Sequence, residues 1–543
     1  MIAEILLRRG VDSAEAAKRF LRPSLQHLHN PFELMGMEAA VTAIGQALEE
    51  GKPIVVSGDY DVDGITSSAM LTHFLRAAGA KGLQTFIPNR FGHGYGLTTR
   101  TVDALLELKP ALIVTVDNGI TAIAEVDRLQ QAGVRTVVTD HHLPRAEGVP
   151  PGIVVNPVQP GCPYPFKKLS GCGVTLKVMM ALRERLRDKG WWSDKRPEPN
   201  LKDYLDLVAI GTVADVVPLL DENRVLARAG LEVLNRIQRR PGVQALLAVA
   251  RVEKAISART IGFQIAPRLN AAGRMTDASV AVEMLLAEDM GRAMELAQRL
   301  DQDNTDRRAK GDEMYKEAMA RIQEERLAEG DGIVVASPNF HEGIIGIVAA
   351  RLVERFDRPV IVLAENGQSL KGSARSIPGI NVTEAIAANA PMLQEYGGHA
   401  GAAGCKFPKE RLPDFRAGFV DACRRLGENA EAPVVWFDAR LWPKDADAGQ
   451  LSTLADQVAL LEPFGQEHEE PNFLVKSADL GVTPAPLAEK HLKWQVSREV
   501  EMVGWRMAAQ LPLADDAQFR VRVGMNEYRG TRKVQLTVEE MRG

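Results

Sequence analysis

The stretch Lys52–Met70, which reads KPIVVSGDYDVDGITSSAM, constrains the fold of this chain more than any other. Its apolar residues 53–56 have the length of a short buried parallel strand, and residues 65–78 have helical spacing. The acidic residues between these runs therefore lie at the C-terminal end of a strand, which is where open α/β sheets place their sites. The stretch predicts an α/β fold with a functional site at this strand end.

Three carboxylates follow the predicted strand at alternate positions, namely Asp59, Asp61 and Asp63. In an extended chain they share one face, because side chains alternate with a period of two. Ionised carboxylates crowded in this way raise one another's pKa unless something compensates, and a divalent cation is the simplest compensation. The alternative is a solvated acidic turn, which is the usual structure of an Asp-Gly sequence.

Three more predicted element ends carry residues of the same chemical kind. The runs 112–116 and 136–139 have the composition of strands, and the run 201–213 that of a helix. The residues that follow them are Asp117, Asn118 and Gly119, then Asp140, His141 and His142, and finally Asp215. Each alone can be a helix cap or a buried histidine. Together, without Cys or Met, they favour a metal site with oxygen and imidazole ligands.

Length and composition limit the remaining possibilities. A chain of 543 residues has room for three or four domains, and 45% hydrophobic with 25% charged residues is typical of a soluble globular protein. The N-terminus lacks the pattern of a signal peptide, and no run approaches the roughly 18 apolar residues of a membrane span. Four scattered cysteines indicate a reducing compartment, so we expect a cytoplasmic protein with no membrane partner. A net charge of −5 confines any nucleic-acid contact to a local patch.

The order of the predicted elements divides the chain into five parts. A helical segment, which we expect to pack on the catalytic domain, is followed by alternating strands and helices of a parallel sheet. Next come a long helical connector of roughly 55 Å, which Gly311 interrupts in one interpretation, a second α/β domain, and short β-runs that fit a small barrel of the OB type. The predicted boundaries are 1–50, 51–278, 279–330, 331–430 and 431–543.

The motifs as a set resemble those of the DHH phosphoesterase superfamily. Eight motifs occur in the family's order and span most of the chain, so the set is highly specific. They are the residues 58–64, 89–96, 117–119, 140–142, 211–215, 267–274, 371–376 and 397–401. The full set is similar to the branch of the superfamily that digests single-stranded DNA. The resemblance implies a parallel-sheet DHH catalytic domain, an accessory DHHA1-like domain and a C-terminal OB-like domain.

The resemblance also implies a ligand set for two divalent ions. Asp61 and Asp117 would hold one ion, and Asp63, Asp117, His141 and Asp215 the other, so that Asp117 is the bridge. Asp59 is assigned to orientation or to a weak contact. His142 is assigned to a phosphate contact or to proton donation at the leaving oxygen. Mn²⁺ is expected before Mg²⁺, because imidazole suits manganese better.

Substrate contacts are expected from cations, hydroxyls and glycine-rich backbone. Ser373 and Arg375 lie two residues apart on a predicted strand and therefore share a face suited to a terminal phosphate. Tyr95 either stacks on a base or packs within its own loop. The substrate-binding set implied by the resemblance is Arg90, Tyr95, Arg268, Asn270, Arg274, Ser373, Arg375 and His399.

The implied activity is a 5′-to-3′ exonuclease that degrades single-stranded DNA to mononucleotides in DNA repair and recombination. Single-stranded DNA, a single-strand-binding protein and a helicase are the partners that the resemblance implies for a monomer. One alternative is a phosphodiesterase for short oligoribonucleotides or cyclic dinucleotides, and another is a non-catalytic nucleic-acid scaffold. The long connector and the OB-like segment disfavour the first, and the complete ligand set disfavours the second.

The C-terminal segment contains aromatic residues among many cations, a composition typical of single-strand grooves. Trp494, Trp505 and Tyr528 are the aromatic candidates. The alternative interpretation is that the aromatics fill the barrel core while the cations form a solvated face. For Trp494 and Trp505 the sequence does not separate the two interpretations.

Overall fold

The computed structural model describes residues 1–94, 96–236, 238–428, 437–444, 447–528 and 531–542. The chain divides into two compact units. The first comprises Met1–Ala266, Val282–Met294 and Trp436–Gly543, and the second comprises Pro267–Ala281 and Glu295–Val435. The C-terminal segment therefore belongs to the same unit as the predicted catalytic domain. The five-part division of the chain stays a prediction.

The first unit begins with helices and continues with a parallel sheet, as the alternating pattern predicts. The helices are α1 (Ile2–Arg8), α2 (Ala14–Leu21), α3 (Met37–Glu50), α4 (Val62–Ala77), α5 (Thr99–Glu107) and α6 (Ile123–Gln131). The strands are β1 (Ile54–Gly58), β2 (Gln84–Phe86), β3 (Leu112–Val116), β4 (Arg135–Thr139) and β5 (Ile153–Val155). All pairings are parallel, in the order β2-β1-β3-β4-β5. This order brings the ends of β1, β3 and β4 side by side.

A group of helices follows the sheet. These are α7 (Gly171–Asp188), α8 (Leu205–Ala214), α9 (Asp221–Leu234), α10 (Pro241–Val249), the short α11 (Ala258–Thr260) and a π-helix (Ile261–Ile265). The next three are α12 (Ala266–Met275), α13 (Ser279–Leu286) and α14 (Met290–Glu324). Helix α8 packs against both α4 and α9, so its C-terminal end is carried close to the start of α4.

The predicted connector is one helix. Helix α14 contains 35 residues and would span roughly 52 Å. Gly311 does not break it, because the described hydrogen-bonded helix continues through this position. Met314, Ala318 and Ile322 are buried in the hydrophobic core of the second unit.

The second unit contains a mixed five-stranded sheet in the order β6-β7-β8-β10-β9. Its elements are β6 (Ile333–Ser337), α15 (Ile345–Phe356), β7 (Val360–Asn366), β8 (Ser369–Arg375), α16 (Val382–Ala387), β9 (Glu395–His399), β10 (Ala402–Pro408) and α17 (Leu412–Gly427). Strands β6 and β7 are parallel, and the other pairs are antiparallel. This agrees with the second α/β pattern predicted from the sequence.

The C-terminal segment forms a seven-stranded sheet in the order β11-β12-β16-β17-β15-β14-β13. The elements are β11 (Ala439–Arg440), α18 (Ala448–Ala459), β12 (Phe473–Lys476), β13 (Ala485–Leu487), β14 (His491–Gln495), β15 (Val500–Gly504), β16 (Gln518–Tyr528) and β17 (Thr531–Arg542). Strands β16 and β17 form an antiparallel pair. The sheet agrees with the short β-runs expected from the sequence, although β13 is too short to show periodicity.

The first two helices pack differently from the sequence prediction. Ile5 and Leu6 of α1 are buried in the core of the C-terminal sheet, and Phe20 of α2 packs against the same core. We expected this segment to cover the catalytic sheet. Helix α3 does lie there, against α7 and β5. The short apolar faces of α1 and α2 are completed by residues more than four hundred positions away, which periodicity cannot reveal.

Arg224 on α9 joins three parts of the first unit. Its buried guanidinium donates hydrogen bonds to the carbonyl oxygens of Phe20 at 3.1 Å, Glu462 at 3.0 Å and Pro463 at 3.3 Å. It also lies 3.9 Å from the centroid of the Phe20 ring. Because a buried cation needs this full set of acceptors, the contact fixes the C-terminal sheet to the catalytic helices.

His468 lies at the same junction and makes its stability sensitive to acid. Its Nε2 bonds the Leu461 carbonyl at 2.8 Å, and its Nδ1 is 3.2 Å from the Arg9 guanidinium. Burial, with smaller contributions from Arg224 and Arg9, lowers its pKa from 6.5 to about 4. The unfolded chain therefore binds the proton first, and stability falls as the pH drops from about 6.5 to about 4, by about 3 kcal/mol in total.

Scanning calorimetry of the full chain and of His468→Gln measures this effect. The melting temperature of the wild type should fall more steeply than that of the variant between pH 6.5 and pH 4. Above pH 6.5 the difference between the two proteins should be constant. Parallel melting curves across the acid range would show that His468 is not the acid-sensitive group.

The structure separates the aromatic candidates of the C-terminal sheet. Trp494 is 1% exposed and meets Phe519 edge to face at 5.3 Å, so it is a core residue. Trp505 is 50% exposed beside His491, and the Tyr528 side chain lies outside the described residues. Several cations of this segment are paired with carboxylates, namely Lys493, Arg520, Arg522 and Arg532. These four cations are therefore not free to contact phosphates, whereas Trp505 and the neighbouring Arg506 are exposed.

None of the described helices combines the length and the apolar character that crossing a membrane requires.

Candidate metal centre

The ends of three adjacent strands bring the predicted ligands together. Gly58, Val116 and Thr139 are partners in neighbouring strands, so the residues that follow them stand at one level. Those residues are Asp59, Asp117 and Asp140. Because parallel strands end at the same edge of the sheet, the register alone is enough to gather these carboxylates.

The acidic cluster after β1 does not continue as an extended chain, which corrects our prediction. Asp61 is the N-cap of α4, and its Oδ1 accepts hydrogen bonds from the backbone N–H groups of Asp63 at 3.0 Å and Gly64 at 3.1 Å. Asp63 lies in the first turn of the helix and points elsewhere. The three carboxylates therefore do not share one face but are divided between two neighbouring groups.

The described residues contain three groups of possible ligand atoms, each within 4.8 Å. The first comprises Asp59, Asp61 and Asp117; the second, Asp63, His141 and Asp215; and the third, Asp117, Asp140, His141 and His142. The His141 Nε2 is 3.2 Å from the Asp117 Oδ1 and 3.5 Å from the Asp215 Oδ2. Asp117 and His141 thus connect the groups. Asp59, to which we assigned only a minor role, belongs to the same group of ligand atoms as Asp61.

Asp117 has an unusual backbone conformation. Its φ angle is +61°, and that of Gly119 is +108°. Aspartate tolerates this left-handed region better than most residues, but it is still uncommon outside glycine. The turn leaves the Asp117 Oδ1 3.2 Å from the His141 Nε2. Strain of this kind is concentrated at functional sites.

Several carboxylates of the cluster are buried, and nearby cations such as His142 compensate their charges only in part. Burial, followed by the negative charge of neighbouring aspartates, raises the pKa of Asp59 and of Asp117 well above the usual value and that of Asp215 to about 9. Burial and His142 lower the pKa of His141, so this imidazole is neutral, the form that binds metals. The fold thus brings several carboxylates close together at a place where bound cations would stabilise their ionised forms.

Buried ligand atoms provide the test of whether metal ions fit. Among the described residues, Asp59 Oδ1, Asp117 Oδ1 and His141 Nε2 are buried and have no hydrogen-bond partner. Orphaned acceptors of this kind are rare in folded proteins. Carboxylate oxygens with one imidazole suit Mn²⁺, and Mg²⁺ through its oxygen ligands, so the residues present fit divalent ions.

Asp140 orients the neighbouring histidines, a role that the sequence did not indicate. Its Oδ1 accepts hydrogen bonds from the backbone N–H of His141 at 2.7 Å and lies 2.7 Å from the His142 Nδ1. Its Oδ2 accepts from the Ile120 N–H at 2.9 Å. Burial acts to lower the pKa of His142, but the bond to Asp140 outweighs it and raises the pKa to about 9. His142 is therefore protonated at neutral pH.

The N-terminus of α7 holds Asp63. The Gly171 N–H donates to Asp63 Oδ2 at 2.6 Å, and the Cys172 N–H donates to Asp63 Oδ1 at 2.9 Å. A Cβ atom placed on Gly171 would lie 2.5 Å from the Asp117 Oδ1, so only glycine fits here. The N-terminal dipole of a long helix also favours the ionised carboxylate.

The predicted substrate contacts lie in both units. Arg90 stacks over the Tyr60 ring at 4.2 Å in the first unit, and Tyr95 lies outside the described residues. In the second unit the Arg375 guanidinium is 3.2 Å from the Ser373 hydroxyl, which confirms that the two share a face of β8. His399 is exposed at the end of β9.

The segment 267–274 is helical. Arg268, Asn270 and Arg274 lie on α12 in the second unit. The Arg268 Nε donates to Asp301 at 2.8 Å, and the Arg274 guanidinium donates to the Gly343 carbonyl at 3.3 Å. The roles of Arg268, Asn270 and Arg274 in substrate binding stay predictions.

Comparison with known protein families agrees with the fold and the site. The DHH family N-terminal domain matches residues 53–212, the DHHA1 domain matches residues 330–424, and the RecJ OB domain matches residues 438–540. A parallel sheet with an aspartate and histidine cluster at its strand ends, joined to these two further domains, defines a DHH phosphoesterase.

Comparison with individual relatives identifies the family within the DHH phosphoesterases. The chain is 38% identical over 566 aligned positions to the single-stranded-DNA-specific exonuclease RecJ of Dickeya dadantii, covering 100% of this chain and 96% of the relative. It is similar to the crystal structure of Thermus thermophilus RecJ in complex with Mn²⁺, with a TM-score of 0.83 and 32% identity, covering 100% of this chain and 75% of that chain. For the Mg²⁺ complex the TM-score is 0.77, at 29% identity, covering 100% and 74%. The chain belongs to the RecJ family.

Proposed function

We propose that this protein is a metal-dependent exonuclease that degrades single-stranded DNA to mononucleotides in the 5′-to-3′ direction, in DNA repair and recombination. One observation carries the proposal: a buried group of aspartates and one neutral histidine whose orphaned acceptors suit two divalent ions. Family membership supports the strand preference, and the resemblance noted in the sequence supports the polarity.

The proposed ligands form two sets that meet at Asp117. Asp59 and Asp61 complete one set, while Asp63, His141 and Asp215 complete the other. When bound, a pair of divalent ions activates water and neutralises the phosphodiester oxygens. The α7 N-terminus keeps Asp63 oriented, and Asp140 keeps His142 oriented. Protonated His142 is the residue that we propose to contact the phosphate or to give a proton to the leaving oxygen.

The proposed substrate contacts are cations and hydroxyls suited to phosphate groups. We assign the terminal phosphate to Ser373 and Arg375, with His399 as a further phosphate contact. Gly346 supports this assignment, because a Cβ there would lie 2.9 Å from the Ser373 hydroxyl and 3.0 Å from the Arg375 guanidinium. Arg90, Arg268, Asn270 and Arg274 complete the proposed set of contacts, together with Tyr95.

The proposal extends to the cellular setting. By family resemblance we expect a monomer in the cytoplasm that acts beside a single-strand-binding protein and a helicase. A phosphodiesterase for short oligoribonucleotides or cyclic dinucleotides is the competing activity. The match of residues 438–540 to the RecJ OB domain supports the exonuclease over that alternative.

An end-labelled single strand tests the proposed function. With Mn²⁺ and a free 5′ end, mononucleotides should be released from the 5′ side, and a chelator should stop the release. Blocking the 3′ end should change nothing, whereas blocking the 5′ end should abolish digestion. Digestion from the 3′ end, or cleavage restricted to dinucleotides, would contradict the proposal.

A further inference from the structure

A second charged surface lies in the first unit, apart from the metal centre. The segment 235–263 contains six cations and only one carboxylate, in a chain whose net charge is −5. Four of the cations are exposed and, within the part of the chain that the structure describes, have no ion pair: Arg236, Arg251, Lys254 and Arg259. We call these four residues and Phe263 the basic ridge.

Two contacts bring the parts of the ridge together. Asn235, at the end of α9, donates from its Nδ2 to the Ile256 carbonyl at 2.9 Å and accepts from the Ile256 N–H at 2.8 Å. This pair holds Arg236 next to the segment that carries Arg251 and Lys254. Since α11 continues directly into the π-helix, Arg259 and Phe263 extend the same surface.

Phe263 is the most exposed large apolar residue among the described ones, at 69%. It lies on the π-helix, and the Arg259 guanidinium is 5.4 Å from the centroid of its ring. Isolated π-helical turns occur frequently at functional sites. An aromatic face held in solvent beside a cation can stack on a nucleic-acid base of any sequence.

The Arg236 end of the ridge lies away from the catalytic end of α8. Gly230 of α9 packs on the first turn of α8, because a Cβ there would be 2.1 Å from the Leu205 carbonyl oxygen. Asp215 follows the last turn of α8, about 15 Å further along its axis. A strand must therefore extend beyond the metal centre to touch Arg236.

We propose that the basic ridge binds single-stranded DNA away from the metal centre, with its cations on the phosphates and Phe263 stacked on a base. This inference rests on the proposed function. Phosphate contacts from Lys and Arg supply affinity without reading sequence, which suits an enzyme that digests any strand. The paired cations of the C-terminal sheet cannot supply this contact in the same way.

Binding of the full chain to a 3′-labelled strand of about 20 nucleotides, in chelator, tests the cationic part. The variant Arg236→Gln/Arg251→Gln/Lys254→Gln should bind about tenfold more weakly, and its salt dependence should flatten by about two units of slope, since each single-strand phosphate contact contributes about 0.7. The control Lys52→Gln/Lys81→Gln removes two exposed lysines just before β1 and β2, at the edge of the sheet opposite the metal centre. It should bind as the wild type does.

Phe263→Ala and Phe263→Leu test the aromatic part. Both should weaken binding about fivefold or more, because leucine keeps the apolar bulk but has no face for stacking. Wild-type affinity in Phe263→Leu would remove base stacking from the proposal. An equal loss of affinity for duplex DNA in all variants would overturn the preference for single strands, and unchanged binding of the long strand would overturn the ridge itself.

Cleavage of a trinucleotide with Mn²⁺ separates this inference from the proposed function. The Arg236→Gln/Arg251→Gln/Lys254→Gln variant should cut it with the wild-type kcat/KM, because so short a substrate does not reach the Arg236 end of the ridge. If the wild type cuts neither the trinucleotide nor the long strand, the proposed function fails while the binding comparison still decides the role of the ridge. A loss on the trinucleotide equal to that on the long strand would show that the substitutions disturb the metal centre instead.

Discussion

Replacing Asp117 with alanine is expected to abolish cleavage, with a loss of more than about a thousandfold, or ~4 kcal/mol of transition-state stabilisation. Asp117 belongs to two of the three groups of ligand atoms, and its buried Oδ1 has no hydrogen-bond partner among the described residues. Among the described residues, Asp117 is the one carboxylate that belongs to two of these groups. Single-turnover digestion of end-labelled single-stranded DNA with Mn²⁺ measures the loss.

The alanine substitution needs further variants as controls, because the Asp117 backbone is in the left-handed region. Alanine is less comfortable than aspartate at a φ of +61°, so the alanine variant can lose activity through local strain. Asp117→Asn keeps both the shape and the tolerance for this conformation, yet removes the charge. It should be nearly as inactive. Asp127→Ala, on the exposed face of α6, should cut normally. Activity within tenfold of wild type in Asp117→Asn would contradict the bridging role.

Gly171→Ala is expected to lower both Mn²⁺ affinity and cleavage by roughly 10- to 100-fold, the usual cost of disturbing residues that orient metal ligands. The added Cβ would lie 2.5 Å from the Asp117 Oδ1, so one of the two must move. The same residue donates its N–H to Asp63. A single methyl group would therefore displace ligands from both sets.

Metal binding, measured by the electron paramagnetic resonance of free Mn²⁺, distinguishes this effect from general damage to α7. Gly173→Ala is the matched control, because its Cβ would meet Leu169 and Ser170 at 3.2 and 3.3 Å and would approach no ligand. It should retain wild-type affinity. If Gly171→Ala bound Mn²⁺ as tightly as Gly173→Ala does, the contact between α7 and the metal centre would not contribute to metal binding.

The strand ends were predictable from the sequence because parallel strands obey a simple rule. Once the runs before Asp59, Asp117 and Asp140 are recognised as neighbouring strands, their carboxyl ends must meet at one edge. The same reasoning predicted that Ser373 and Arg375 share a face. Local periodicity is sufficient for both inferences, since neither depends on contacts with distant residues.

The turn after β1 was predicted wrongly, although a signal was present. We extended the strand through Asp63, whereas α4 begins at Val62 with Asp61 as its cap. Aspartate is among the preferred N-cap residues, and a second acid in the first turn is favoured by the helix dipole. Placing Asp61 as a cap would have separated Asp61 from Asp63 and assigned Asp59 to the ligand set.

Other features depend on contacts that periodicity cannot reveal. Gly171 meets Asp63 across 108 positions of the chain, and Ile5 reaches a core made by the last hundred residues. Trp494 lies between polar residues, a pattern that would also fit a surface tryptophan. In the structure its side chain is on the buried face of β14, and the other face of the strand is the more exposed one. Each of these depends on which elements pack together, and the sequence carries that information only indirectly.

Anomalous diffraction from a crystal soaked in Mn²⁺ would show whether two ions are held on either side of Asp117. Two manganese peaks about 3.5 to 4 Å apart are expected. Asp117 should contact both, Asp59 and Asp61 one of them, and Asp63, His141 and Asp215 the other. A single peak, or two peaks of which only one contacts Asp117, would contradict this arrangement.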